Sequence, residues 1–204
     1  MKPFLLTSFF EDCFEYGEIV LHLDLSFDNV LRVFELFKDD VFHGYEKVDI
    51  TLEMLVKEYR SIEEYDLRKK DTLFLYIFKE FLGIDLQKPQ DLTNKKTFDF
   101  EQDAGIIYAS FLHAYNMDLF EQQGKLHWHK FSQLIAHLPE GTKFREVIGI
   151  RTMEIPAADK HNTNYRKQVI AVKKVYALQE EQSEADAIKA LDAKWDTLAL
   201  MVRG

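Results

Sequence analysis

The stretch EEYDLRKKDTLFLYIFKEFLG, residues 63–83, predicts a long and well-buried helix. Its apolar side chains recur at helical spacing and form one broad stripe, which consists of Leu67, Phe74, Ile77, Phe78 and Phe81. Gly83 follows this stripe, and glycine readily adopts the left-handed conformation that closes many helices. A helix of this length and apolar character needs other elements to cover it.

The composition of the whole chain indicates the same kind of fold. Aromatic residues make up 14% of the 204 residues, whereas there are only 8 Gly and 4 Pro. This balance is typical of packed helices rather than of a turn-rich sandwich. Apolar residues reach 47%, which is enough to bury a sizeable core. We therefore expect a mainly α protein with a helical bundle-like domain.

A different periodicity marks the N-terminal region. In EIVLHLDL, residues 18–25, the apolar positions 19, 21, 23 and 25 alternate with largely polar ones. Gly17 separates this run from CFEY before it, and glycine suits a tight turn. The pattern predicts a small N-terminal β-hairpin.

Helical spacing returns after the hairpin. The next helix has either Ser26 or Asp28 at its start, because both side chains can accept a hydrogen bond from free N–H groups of a first turn. A second helix, in DITLEMLVKEYR, starts at Asp49 or Thr51. Further helices are predicted at residues 99–116, 126–138, 142–150 and 164–178. In the last of these, one apolar face consists of Tyr165, Val169, Val172 and Tyr176.

A polar segment around Pro89 divides the chain, because proline disfavours helix at and just before it. Asp99 opens the following helix, with Gln102 at the spacing of a capping box. The predicted organisation is a hairpin with helices at 1–83, a linker at 84–98, a helical core at 99–178, and a C-terminal amphipathic helix at 179–204.

Charge is distributed unevenly along the chain, whose formal net charge is −9. Residues 1–100 hold 13 Lys and Arg against 21 Asp and Glu, whereas residues 124–174 hold 10 against 4. A net negative charge makes general nucleic-acid binding improbable. The basic stretch can meet an acidic partner, or the acidic half of another copy in a head-to-tail homo-oligomer. The alternative is an ordinary solvated helix face.

The remaining composition predicts a soluble protein of a reducing cytoplasm. Cys13 is the single cysteine, so no disulfide can form within the chain. The apolar run at the N-terminus stops at Glu11 and Asp12, which does not fit a signal peptide. No window approaches the roughly 20 apolar residues that cross a bilayer. We expect no membrane partner.

The stretch GKLHWHKFSQLIAHLP, residues 124–139, raises the question of a metal site. In a helix, His127 and His129 would lie about 160° apart around the axis, so they could not hold one ion. Neither has a metal-ligating residue three or four positions away. We expect no metal and interpret both as histidines that border a buried Trp128.

No catalytic or cofactor-binding site is expected either. The sequence contains no glycine-rich phosphate loop. Cys13 has no histidine close by in sequence. Ser110 and Ser132 lie in segments that are predicted to be helical, without the small-residue turn that exposes a hydrolase serine. We therefore expect a protein that is not an enzyme and needs no cofactor.

The most distinctive sequence motifs lie between Phe98 and Leu178. They include Asp99-Phe100, Gln102-Asp103, IYASF, Leu126-His127-Trp128 with Phe131, Leu138-Pro139, Lys143-Phe144, Ile150-Arg151, and Lys173-Lys174 before Tyr176. This set of motifs resembles the bacteriophage gene-product-fifteen family of siphophages and of prophages in Gram-positive bacteria. Where many relatives have a second aromatic residue after Trp128, this chain has His129.

The resemblance implies a tail assembly chaperone for virion morphogenesis. Such proteins coat the tape-measure protein in the host bacterial cytoplasm, help to recruit tail-tube protein, and are absent from the finished tail. One alternative is a structural virion component, such as a minor tail or head–tail adaptor protein. Another is an enzyme acting on a small molecule.

Two sets of residues are candidates for partner binding. The basic set consists of Arg145, Arg151, Arg166, Lys167, Lys173 and Lys174. The apolar set lies in the C-terminal stripe and consists of Trp195, Leu198 and Met201. The alternatives are that Arg151 forms a buried ion pair and that the stripe belongs to the core.

Overall fold

The computed structural model describes residues 5–7, 9–88, 96–159 and 162–179. In these ranges the chain is mainly α-helical with one two-stranded antiparallel hairpin, which confirms the predicted fold class. The elements are β1 (Cys13–Tyr16), β2 (Ile19–His22), α1 (Phe27–Lys38), α2 (Gly44–Leu55), α3 (Leu67–Ile77), α4 (Ala104–Tyr115), α5 (Trp128–Ala136), α6 (Lys143–Thr152) and α7 (Thr163–Val175). None of these helices has the length and apolar content that crossing a membrane requires.

The described residues form two compact units. The first contains the N-terminal part of the chain up to residue 88 together with residues 123–131. The second contains residues 96–122 and 132–179. The units are therefore not simple consecutive pieces of the sequence, whereas the predicted organisation was consecutive.

The hairpin of the first unit forms as the alternating pattern predicts. Tyr16 at the end of β1 pairs with Ile19 at the start of β2, and Gly17 makes the turn with φ of +65°. That φ suits glycine because it has no Cβ. Leu21 in β2 is buried, and so are the alternate positions 23 and 25 beyond it.

The three helices that follow pack in sequence order, α1 against α2 and α2 against α3. α3 continues into one π-helical turn, Phe78–Leu82, and Gly83 ends it in the left-handed region with φ of 75°, as predicted. The predicted stripe is buried at Phe74 and at the two positions Ile77 and Phe78. Leu67, the first residue of α3, is exposed instead.

The start of α2 differs from the prediction. The helix begins at Gly44 rather than at Asp49 or Thr51. The backbone N–H of His43 donates to Oε2 of Glu46 at 2.9 Å, which satisfies a free donor at the helix start. His43 and Glu46 thus form the helix start that the sequence assigned to later residues.

Asp49 has another role inside the first unit. Its Oδ1 accepts hydrogen bonds from Nζ of the buried Lys70 at 2.6 Å and from the hydroxyl of Tyr59 at 2.8 Å. Burial and the bond to Asp49 raise the pKa of Tyr59 well above its ordinary value. The carboxylate therefore balances the charge of a lysine that has been removed from water.

Residues 123–131 join the first unit through the backbone. The N–H of Phe27 donates to the carbonyl of Leu126 at 2.9 Å, and the N–H of Trp128 donates to the carbonyl of Leu25 at 2.7 Å. These reciprocal bonds resemble one step of an antiparallel ladder. They explain why this segment groups with residues distant in sequence.

Aromatic rings fill the core around this segment. The ring centroids of Phe27 and Phe131 lie 4.8 Å apart and the rings are stacked. Phe34 and Trp128 meet edge to face with centroids 5.5 Å apart. Burial of Trp128 was predicted, and the structure confirms it.

In the second unit α4 packs against α6, and α6 packs against α7. α4 begins at Ala104 rather than at the predicted Asp99. Oδ1 of Asp99 accepts from the N–H groups of Glu101 and Gln102, each at 2.8 Å, and so holds a turn before the helix. The helix ends at Tyr115, close to the predicted end, and Asn116 follows it in the left-handed region with φ of 50°.

Candidate functional site

Two histidines and an aspartate meet at the start of α5. Nε2 of His127 lies 2.9 Å from Oδ1 of Asp12, and Nδ1 of His127 accepts from the N–H of His129 at 3.0 Å. The ring of Phe10 stacks on His127 with a centroid distance of 4.3 Å. Both ring nitrogens of His127 are therefore engaged, and its role is that of a helix cap held by a carboxylate.

The predicted separation of the two histidine rings is wrong. Their centroids are only 5.2 Å apart, because His127 precedes Trp128, the first residue of α5, and is not part of the helix. Proximity does not make a metal site here, since Nδ1 of His127 is already an acceptor for a backbone N–H. Among the described residues, no group of three or more His, Cys, Asp or Glu is placed to hold a metal ion.

The environment of His129 predicts a dependence of stability on pH. Burial lowers the pKa of His129 below its ordinary value of 6.5, and His127 acts in the same direction, while Asp12 opposes both. The unfolded chain therefore binds the proton more readily than the folded chain. We expect the free energy of unfolding to fall as pH drops below about 6.5, and less steeply in His129→Gln.

Urea unfolding between about pH 5 and 7.5 measures this effect. His113→Gln is the control, because that histidine is exposed on α4. Equal pH slopes in the wild type and in His129→Gln would contradict the prediction.

Arg151, one of the basic candidates, forms a buried ion pair. Its NH1 and NH2 groups donate to the two carboxylate oxygens of Asp103 at 2.6 and 2.8 Å. Its Nε donates to the carbonyl of Tyr176 at 2.6 Å, and NH1 also donates to the carbonyl of Thr97 at 3.0 Å. The side chains of both partners are more than nine-tenths buried. This guanidinium ties together three segments of the second unit.

Lys173 and Arg166 are also engaged within the second unit. Nζ of Lys173 donates to the carbonyls of Arg151 and Met153, each at 2.6 Å, at the C-terminus of α6. A cation is favourable there because the last carbonyls of a helix lack partners. Nε of Arg166 donates to the carbonyl of Pro156 at 3.1 Å. These two residues attach α7 to the chain that precedes it.

The other three basic candidates lie at the surface of the second unit. Arg145, Lys167 and Lys174 are exposed, and within the described part of the second unit their side chains form no hydrogen bond or ion pair. Lys167 and Lys174 are seven residues apart on α7, so they lie on the same side of that helix. They are the part of the basic set that remains available for binding.

α7 also exposes apolar side chains beside these lysines. Tyr165 is 56% exposed and Val175 is 76% exposed, and Val172 between them is exposed too. At 100° per residue the three lie within an arc of about 80°. The predicted apolar face is therefore buried at Val169 but open to solvent at Tyr165 and Val172.

A cavity of about 260 Å³ lies beside α3 and is lined in part by Thr72, Tyr76 and Lys79. Nζ of Lys79 pairs with Oδ2 of Asp85 at 3.5 Å, so the charged groups of this cavity offset each other. Sites for small molecules typically have volumes of about 300–1,000 Å³. The cavity gives little support to a small-molecule site.

A family whose description is Bacteriophage Gp15 protein matches residues 8–178. The chain belongs to this family. No curated protein and no solved structure gives a significant match. The predicted resemblance to the gene-product-fifteen family is thus confirmed, and the protein is a bacteriophage protein.

The motifs that carry the Gp15 resemblance have structural roles in this chain. Asp103 and Arg151 form the buried pair, and His127 caps α5. The hydroxyl of Ser110, within IYASF, accepts from the N–H of Phe144 at 3.1 Å. These motif residues therefore hold the fold of this Gp15 protein together.

The apolar candidates Trp195, Leu198 and Met201 lie outside the described residues. They also follow residue 178, at which the match to the Gp15 family ends. Their assignment to partner binding remains a prediction.

Sequence reasoning missed one exposed apolar cluster, which lies in the loop between α1 and α2 and in the first turn of α2. Val41 is 75% exposed, and Phe42 and Tyr45 are exposed as well. The sequence DDVFHGY, residues 39–45, could have indicated this cluster, because its apolar residues are not at helical spacing. We call these three residues the α1–α2 loop cluster.

Proposed function

We propose that this chain is a tail assembly chaperone that binds the tape-measure protein of its phage and helps tail-tube protein to assemble around it. The observation that carries the proposal is membership of the Gp15 family over residues 8–178, together with the role that the sequence resemblance implies. The protein acts without catalysis, in the host bacterial cytoplasm, before the tail is complete.

The surface of the second unit supports such a role. A chaperone of a long helical protein works through many copies, each of moderate affinity, and through apolar and charged contacts. Exposed cations at Arg145, Lys167 and Lys174 are not needed to hold the fold, so they are available for such contacts. Neither nucleic acid nor membrane belongs to the proposal, because the net charge of −9 opposes binding to polyanions.

Co-expression of the tagged chain with the tape-measure protein of the same phage tests the function. We expect a soluble complex with several copies of this chain per tape-measure protein, measured by pull-down and light scattering. The triple variant Trp195→Ala, Leu198→Ala and Met201→Ala tests the apolar candidates, and it should capture at least about tenfold less tape-measure protein. Val20→Ala, an exposed change on β2, is its control.

The competing function predicts a different location for the polypeptide. A minor tail or head–tail adaptor protein remains in the virion, whereas an assembly chaperone leaves it. Mass spectrometry of purified particles distinguishes them. Stoichiometric amounts of this chain in the particles, with no capture of the tape-measure protein, would replace the chaperone proposal by that of a structural component.

A further inference from the structure

The α1–α2 loop cluster, Val41, Phe42 and Tyr45, combines apolar exposure with negative charge. Asp39 and Asp40 are exposed directly before Val41. Most apolar side chains that are exposed singly need no explanation, but a contiguous group with a charged border is typical of an interaction site. The loop therefore has the character of an acidic and apolar ligand.

Local hydrogen bonds hold this loop in shape. The N–H of Val41 donates to Oδ1 of Asp39 at 2.8 Å, and that of His43 donates to Oε2 of Glu46 at 2.9 Å. Nζ of the buried Lys47 donates to the carbonyl of Phe37 at 2.7 Å. Because the backbone is fixed before binding, docking of the loop costs less conformational entropy.

The exposed side of α7 has the opposite character. Its apolar stripe, Tyr165, Val172 and Val175, follows one side of the helix, and Lys167 and Lys174 lie roughly 80–100° further around the axis than Val175. The residues that attach α7 to its own unit, such as Lys173, point to another side. We call these five exposed residues the α7 face.

We propose that the α1–α2 loop cluster of one copy of this chain docks on the α7 face of a second copy. The apolar side chains of the two surfaces cover each other, and Asp39 and Asp40 meet Lys167 and Lys174. The charge of the two halves of the chain supports a second copy as the occupant, since residues 1–100 carry an excess of acid and residues 124–174 an excess of base.

The contact joins two different surfaces, so it is heterologous. Contacts of this kind do not close into a twofold dimer but produce rings or open chains of copies. An open chain of copies is suited to covering a long partner. The self-association itself requires no partner, so its test is independent of the proposed function.

A charge-swap experiment with the full chain tests this contact. Asp40→Lys and Lys174→Glu each place like charges across the contact, and each variant alone should associate at least about tenfold more weakly than the wild type. In an equimolar mixture, the new lysine of Asp40→Lys meets the new glutamate of Lys174→Glu. The second pairing, between the unchanged Asp40 of one variant and the unchanged Lys174 of the other, is the native one. The mixture should therefore recover association.

Sedimentation velocity over about 10–500 µM, which covers contacts of weak to moderate affinity, measures the association. Glu64→Lys and Lys57→Glu are matched charge controls on exposed positions outside both surfaces, and they should leave association unchanged. Val41→Ser should weaken association, whereas Val20→Ser, on the exposed side of β2, should not.

Two results would overturn the proposal. One is a wild-type chain that stays monomeric over the whole concentration range. The other concerns variants that have the circular dichroism spectrum of the folded wild type. If the two charge reversals do not weaken association, or if an equimolar mixture of the two variants does not recover it, the proposed contact is wrong.

Discussion

Replacement of Arg151 by alanine should lower the free energy of unfolding by about 3–5 kcal/mol, because it leaves the carboxylate of Asp103 buried without its partner. The change also removes the donors to the carbonyls of Tyr176 and Thr97. Unpaired acceptors in a buried site add to the cost. Guanidinium unfolding followed by far-ultraviolet circular dichroism measures the loss.

Arg145→Ala is the matched control for this prediction. Arg145 is on the same helix, α6, and it is exposed, so its loss should change the free energy of unfolding by no more than about 0.5 kcal/mol. The double variant Arg151→Met with Asp103→Leu should recover much of the loss, since it leaves no unpaired charge. If Arg151→Ala and Arg145→Ala cost the same, the pair does not stabilise the second unit.

The stability prediction affects how binding experiments on the basic candidates are read. Arg151 and Lys173 are engaged with carboxylate and carbonyl oxygens of the same unit. A loss of partner binding in variants of these two residues would therefore mix unfolding with a direct effect. Lys167 and Lys174 do not have this problem, because both are exposed.

The sequence predicted the kind of each element better than its ends. Alternation of apolar residues identified the hairpin. Gly83 was predicted to end a helix, and it ends the π-helical turn that continues α3. The predicted start of α2 was wrong because Asp49, which resembles a cap in sequence, instead accepts a hydrogen bond from Lys70 on the neighbouring helix α3. Local patterns show which polar groups can cap a helix, but not which of them tertiary contacts recruit.

The candidate site shows the same limitation. The sequence left two roles open for Arg151, and only the position of Asp103 decides for the ion pair. It grouped Tyr165 and Val172 with Val169 on one apolar face, but periodicity does not distinguish a face that packs inside the unit from one that is open to solvent. The sequence also did not show that residues 123–131 join the first unit, because this association depends on backbone hydrogen bonds with Leu25 and Phe27.

Replacement of Phe131 by alanine tests whether residues 123–131 contribute to the core of the first unit. The side chain of Phe131 is 1% exposed and lies between the rings of Phe27 and Trp128, at centroid distances of 4.8 and 5.9 Å. Its loss removes buried apolar surface and leaves a cavity, so the free energy of unfolding should fall by about 3–5 kcal/mol.

Tryptophan fluorescence during urea unfolding reports on this region, because Trp128 contacts the replaced ring. Phe131→Leu should cost much less, since most of the volume remains. Phe120→Ala is the control for loss of an aromatic ring at the surface, because Phe120 is 69% exposed, and it should cost no more than about 1 kcal/mol. A cost below about 1 kcal/mol for Phe131→Ala would mean that the segment opens independently of the rest of the unit. The backbone bonds to Leu25 and Phe27 would then not be sufficient to make residues 123–131 part of one cooperative core.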